Sequence, residues 1–549
     1  MGQQPVNCHF ARSAWFPVFL LALVQAAPAR SDDTLLQDRL RAHIEFLASD
    51  DLRGRQPGSA GYDIAARYVA SHFEQFGLIP AGAEGSYFQQ VPLRKATQKA
   101  GSATMVLKRG GESRAFEFVE EFYTGASTAH AASGIEAQMV FAGYGIDAPE
   151  LGYSDFEHLD VNGKIVVTLG GQPLNFPSEE GAHFGSSREK ARAITAHGGV
   201  GWVTVYTPRN QRRSAWDRVR SRVGMPSMGW LNEDGVAATS FAQLEAGARI
   251  HYEPARALFE GSPHSLASLL EADEAGAGLP VFPMKGTLAM SQRSHHETIH
   301  SPNVVGILPG SDPVLASEYL VYVAHLDHIG ELHEKGDGDK INNGALDNAS
   351  GVSVMLETAR LFSQEHAPRR SILFIAVTAE EKGLVGSEYF VNYPTVSIES
   401  MVAAINLDMP VLLYNFADVI AFGAEHSSLR SAVRRAAGEF DTELTPDPFP
   451  EQNIFVRSDH YRFVQQGVPS IFLVTGVRDR NSAIDAKTLY EGFLHEHYHR
   501  PSDDLGLPID YSAAARFTRI NKRIGEILAN GPERPQWNEG DFFGNTFGR

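Results

Sequence analysis

Four runs of almost unbroken apolar residues limit what this chain can fold into: Tyr319 to Ala324, Ser371 to Val377, Val402 to Leu407 and Ser470 to Val474. A strand with one wet face alternates apolar and polar residues, whereas a strand that is apolar throughout needs cover on both faces. Helical spacing lies between the runs. Val352, Met355, Leu356, Ala359 and Phe362 recur on one helix face, and a last helix is predicted from Tyr511 to Ala529. Asn303 to Leu308 reads as one more strand. The pattern predicts a three-layer α/β/α domain around a mostly parallel, mixed sheet.

The chain has 549 residues, too many for one ordinary domain. Gly163 to Gly171 and Gly201 to Tyr206 read as strands, with a helix from Glu189 to His197 between them. Residues 130–285 are therefore read as a small α/β insert. Residues 30–129 and 286–531 form the two parts of the main domain, and 532–549 an irregular tail. Residues 1–29 read as a signal peptide. Arg12 precedes an apolar run from Ala14 to Val24, and small residues Ala26, Ala27 and Ala29 follow. That run is too short to cross a bilayer comfortably, and no second stretch is long and apolar enough. The expectation is an exported protein, periplasmic or secreted, from a bacterial cell. Cleavage removes the single cysteine, Cys8, so any metal must be held by His, Asp and Glu. The net charge of -18 argues against nucleic acid or an anionic membrane as partner.

In sheets of this kind, ligands bind beyond the carboxyl ends of the strands. Those ends carry His325-Leu326-Asp327-His328, Thr378-Ala379-Glu380-Glu381 and Asp408. Asp347 precedes a helix, and His499 and Asp503 lie near the end of the chain. Carboxylates brought together repel one another unless a cation lies between them. Two divalent ions are the economical explanation, sharing a bridging carboxylate.

Five elements in order, His325-x-Asp327, Asp347-Asn348-Ala349-Ser350-Gly351, Glu380-Glu381-x-Gly383-Leu384-x-Gly386-Ser387, Asn406-x-Asp408-Met409 and His499-x-x-x-Asp503, resemble the M28 family of co-catalytic zinc aminopeptidases. Leu47 to Arg55 and Gly77 to Gly82 are similar to that family's N-terminal segment, and the insert resembles a protease-associated domain. The resemblance implies two Zn2+ per chain. His325 and Asp408 would hold one, Glu381 and His499 the other, and Asp347 would bridge them through a cis Asp347–Asn348 bond. Glu380 would be the general base for a metal-activated hydroxide that attacks the scissile carbonyl. Asp327 would orient His325 through its far nitrogen, and Asp503 would act similarly near His499. Asp459 and His460 would line the substrate pocket. The implied substrates are peptides with a free N-terminus. The stretch from Glu331 to Asn343, with Lys335, Lys340 and several Gly and Asp residues, departs from the family's pattern and reads as a lid or rim that affects access.

Two other readings remain. His495-Glu496-x-x-His499 satisfies the single-zinc pattern, with Glu526 as a downstream ligand. It needs a continuous helix, which Gly492 and Pro501 discourage. A non-catalytic binding protein with the same fold is the other, although relatives of that kind lose metal ligands that are all present here. The sequence leaves residue preference, action on other termini or dipeptides, and oligomeric state open.

Overall fold

The computed structural model describes residues 1–5, 7, 32–238, 240–332 and 338–548. The signal-peptide reading falls almost wholly outside them, as does the middle of the 331–343 loop. No helix among the described residues is long and apolar enough to cross a membrane.

The predicted apolar runs are the centre of one sheet. Tyr319–His325 pairs in parallel with Ser371–Val377 on one side and Met401–Asn406 on the other. Ser470–Thr475 continues in parallel beyond Met401–Asn406. Antiparallel neighbours flank this core: the end of Val281–Leu308 next to Ser371–Val377, and Asp418–Phe422 next to Ser470–Thr475. Every residue of Ser371–Val377, Met401–Asn406 and Ser470–Thr475 is buried. Helices Asp32–Leu47, Ala60–Gln75, Gly351–Ser363 and Tyr511–Asn530 close one face with Leu40, Ile44, Phe73, Met355 and Phe517. Val385–Asn392 and His460–Val464 close the other with Phe390 and Phe463. Fully burying a side chain of this size contributes about 1.5–3 kcal/mol, so the two faces anchor the sheet firmly.

A second sheet has its own core, with Phe141, Val167, Val203, Leu258 and Leu288 at its centre. Ile165–Leu169, Gly201–Tyr206 and Ala246–His251 run parallel within it. It also takes Thr104–Arg109 and Phe122–Tyr123, from before residue 130. One long strand, Val281–Leu308, joins the two sheets. Residues 281–293 pair with Ala132–Ala142, and residues 294–304 pair with Phe88–Gln98 of the main sheet. Ser227–Trp230 returns from the insert to the opposite edge of Phe88–Gln98. The insert is thus tied to the main domain at several points along the chain.

The tail differs from the expectation of irregular structure. It contains the helix Phe542–Phe547, which Asp541 caps. Phe543 is fully buried against Phe455 and His426. Aromatic burial orders a segment whose polar composition reads as loose.

Candidate active site

The parallel register decides where the site forms. His325 lies level with Val377, and Val323 level with Asn406. The residues that follow these strands therefore emerge along one edge of the sheet. Asp347 and Asn348 depart from helical geometry just ahead of Gly351–Ser363, and the peptide bond between them is cis.

Asp347 is at the centre. Its Oδ1 lies 3.3 Å from His325 Nε2, which is 3.0 Å from Asp408 Oδ1. Its Oδ2 lies 3.2 Å from His499 Nε2, which is 3.0 Å from Glu381 Oε2. The two oxygens of one carboxylate thus face two different groups of donors. The five residues expected from the sequence are brought together.

A sixth residue joins them. His328 is fully buried, with Nδ1 2.7 Å from Glu381 Oε1 and 3.9 Å from Asp347 Oδ2. Sequence reasoning passed over it, although its spacing from His325, two residues between, was visible. Among the described residues, two groups of side chains have the proximity to hold a metal ion: His325, Asp347 and Asp408, and His328, Asp347 and Glu381. Asp347 Oδ2, Glu381 Oε1 and both ring nitrogens of His328 are buried yet make no hydrogen bond of acceptable geometry. Buried polar atoms are costly to leave unpaired. Convergent N and O donors in this state fit divalent cations such as zinc.

The surroundings hold the donors in place. Asn348 donates to the carbonyls of His325 (3.2 Å) and Leu407 (2.9 Å) and accepts from the backbone of Gly351 and Met409. It thereby ties together three of the loops that carry the site. The buried Arg55 donates to the carbonyls of Leu326, Asn343 and Gly344. Burial lowers its pKa to about 10, while Asp347 and Asp503 oppose that shift. Tyr498 stacks on His499 with ring centroids 3.8 Å apart.

Three expected roles are corrected. The Asp327 carboxylate does not meet His325, whose Nδ1 faces the Asp327 carbonyl at 3.2 Å. It accepts instead from the backbone N–H of Glu380 (3.0 Å) and Glu381 (3.3 Å), because the turn after Val377 aims those amides back at the 325–327 loop. Asp503 accepts from the backbone of Leu346 and Asp347, not from His499. Asp459 and His460 are closed off from solvent. Asp459 accepts from Ser387 at 2.5 Å, and the neighbouring Ser458 donates to Asp408 at 2.5 Å. The stretch supports the site from behind, because the helix His460–Val464 packs under the sheet.

The single-zinc pattern does not assemble. His495 and Glu496 are exposed, and the chain leaves helical geometry at Tyr498. Glu526 pairs with Lys522 and Arg523 on the last helix.

The pKa values of the two adjacent carboxylates are shifted in opposite directions. Burial raises the pKa of Glu380 well above the glutamate range, with Asp408 and Glu381 adding to the effect against His325. Burial pushes the same way on Glu381, but His499 and His328 hold it well below that range. Burial lowers the His328 pKa and favours the neutral imidazole that ligates metal. Burial opposes charge on His499 too, yet Glu381 and Asp347 raise its pKa to about 9.

Residues 303–524, which contain every one of these donors, match peptidase family M28. The similarity to that family lies in this segment, about two fifths of the chain. A probable zinc metalloprotease of Pyrenophora teres f. teres (strain 0-1) is 36% identical over 115 residues, 20% of this chain and 23% of that protein. Aminopeptidase NAALADL1 of Mus musculus is 34% identical over 136 residues, 24% of this chain and 16% of that protein. The chain thus spans a quarter or less of the length of these curated relatives. An aminopeptidase from Aneurinibacillus sp. strain AM-1 shares the fold, with a TM-score of 0.53 and 20% identity over 91% of this chain and 95% of that one. The matched segment carries the whole candidate metal centre.

Proposed function

We propose that this protein is a two-zinc aminopeptidase. The observation that carries the reading is the division of the Asp347 carboxylate between His325 with Asp408 and His499 with Glu381. His325, Asp347 and Asp408 would hold one ion; Asp347, Glu381, His499 and His328 would surround the other. Zinc bound there supplies Lewis-acid polarisation and lowers the pKa of water.

The protein's own part is proton transfer and positioning. Glu380 makes none of the ion pairs that occupy Glu381. Its raised pKa suits a group that takes a proton from the attacking water and returns it to the leaving amine. Asp327 fixes the backbone of both glutamates. The acidic surroundings favour a cationic N-terminal amine. The insert is read as a protease-associated domain on sequence resemblance, and the protein as exported after loss of residues 1–29 on the order of Arg12, the apolar run and the small residues that follow it.

The test compares a free and an N-acetylated peptide of the same sequence with the zinc-loaded protein. The reading expects cleavage of the free peptide from its N-terminus and loss of cleavage on acetylation. Equal cleavage of both would overturn aminopeptidase action.

A further inference from the structure

The chain from Pro208 to Trp230 leaves the insert sheet after Tyr206 and reaches the main sheet at Ser227. Trp230 packs with Ala379 and Val385, on the turn that bears Glu380 and Glu381. The segment therefore lies beside the metal ligands, and it carries arginines of two kinds. Arg212 and Arg220 pair with Glu274 and Glu120. Arg213 and Arg222 do not. Together with Arg249, Arg457 and Arg500, they have no carboxylate within 4.0 Å among the described residues. In a chain with 66 acidic and 48 basic residues, five such arginines in one region are a marked local excess of positive charge.

Contacts link this cluster to the site. Arg218 donates to the carbonyls of Leu494 (3.0 Å) and His495 (3.1 Å), on the segment that leads to His499. The Arg457 guanidinium is 3.5 Å from the Tyr498 hydroxyl, and the Tyr498 ring stacks on His499. Tyr123, beside Arg249 in the insert sheet, donates to the Arg222 carbonyl. The positive charges are also close enough to depress one another. Burial lowers the Arg213 pKa and Arg457 and Arg249 lower it further; burial and then Arg222 do the same to Arg249. Arg213 and Arg249 nevertheless keep open surface. Unrelieved repulsion among desolvated guanidinium groups is costly, and a bidentate carboxylate is the partner their geometry suits.

We propose that Arg213, Arg222, Arg249 and Arg457 form a carboxylate-recognition cleft on the leaving-group side of the site. The cleft would select peptides that present an acidic side chain or a free C-terminus just beyond the scissile bond. This rests on the aminopeptidase reading for its substrate, and it names that substrate's class.

The test measures kcat/KM of the zinc-loaded full chain on Ala-Asp-Ala-amide, Ala-Asn-Ala-amide, Ala-Ala-Ala and Ala-Ala-Ala-amide. A preference of roughly tenfold or more is expected for a substrate with the carboxylate over its neutral match. The aspartate pair reports a side-chain carboxylate and the alanine pair a C-terminal one. In the Arg213→Gln/Arg249→Gln variant, the preferred pair is expected to approach a ratio of one. Equal rates within both pairs in the wild type, or a preference that persists in the variant, would overturn the cleft. Binding of the same four peptides to zinc-loaded Glu380→Gln, followed by calorimetry, reads the preference without turnover. If no peptide is cleaved by wild type, the aminopeptidase reading fails while this titration still decides the cleft. Equal affinities within both pairs there count against it.

Discussion

At the scale of single residues, the site depends on small differences between neighbours. Glu380 and Glu381 are adjacent, yet only Glu381 faces the two histidines. Glu380→Gln should therefore leave zinc content intact and lower kcat by about 10²–10⁴-fold. Zinc analysis beside steady-state rates checks both halves, and loss of metal would contradict the assignment. Asp327→Asn should keep its place but weaken the grip on both glutamate amides, with kcat/KM down about 10–100-fold. An unchanged rate would remove Asp327 from the positioning network. His325, Asp347, Glu380, Glu381, Asp408 and His499 were legible in the sequence because strand ends and motif spacing mark them. His328 was not, because a second histidine in a loop looks like any other until burial and its distance to Glu381 are known. The carboxylate of Asp327 was misread for a related reason: side-chain direction within a loop is set by tertiary contacts, not spacing.

At the scale of elements, the loops around the metal donors are packed against backbone. A Cβ at Gly351 would lie 2.1 Å from Asn348 Oδ1 and 2.4 Å from the Leu407 carbonyl. Neither can retreat, since Asn348 is bonded to both flanking loops. Gly351→Ala should destabilise the fold by about 1–3 kcal/mol and reduce zinc retention. Urea denaturation with metal analysis measures both, and a stability equal to wild type would show that the packing is looser than described. The central strands were predicted within a residue or two, since an apolar run buried on both faces has few alternatives. The helix Phe542–Phe547 was missed because its only strong signal, a set of phenylalanines, acquires meaning from the surface it covers.

At the scale of the whole molecule, the insert, the main domain and the tail meet at His426. Its Nδ1 lies 2.5 Å from Asp541 of the tail, and its Nε2 pairs with Glu179 of the insert. Burial opposes charge on this ring, but Glu179 and Asp541 raise its pKa from 6.5 to about 9. A raised pKa means that the folded state binds the proton more tightly. Its stabilisation, on the order of 3 kcal/mol, is complete below about pH 6.5 and is lost as pH rises through about 9. Denaturation of wild type and His426→Leu across that window should give curves that converge at high pH; a constant gap would contradict the clasp. The existence of two cores was legible from composition along the chain, whereas a clasp built from residues 179, 426 and 541 has no sequence signature. The central claim, that Asp347 serves two metal sites at once, is tested most directly by zinc content per chain in wild type and Asp347→Ala. The account expects two zinc ions in wild type and a fall to below one in the variant, with the fold retained by circular dichroism. A single zinc in wild type, unaffected by the substitution, would contradict it.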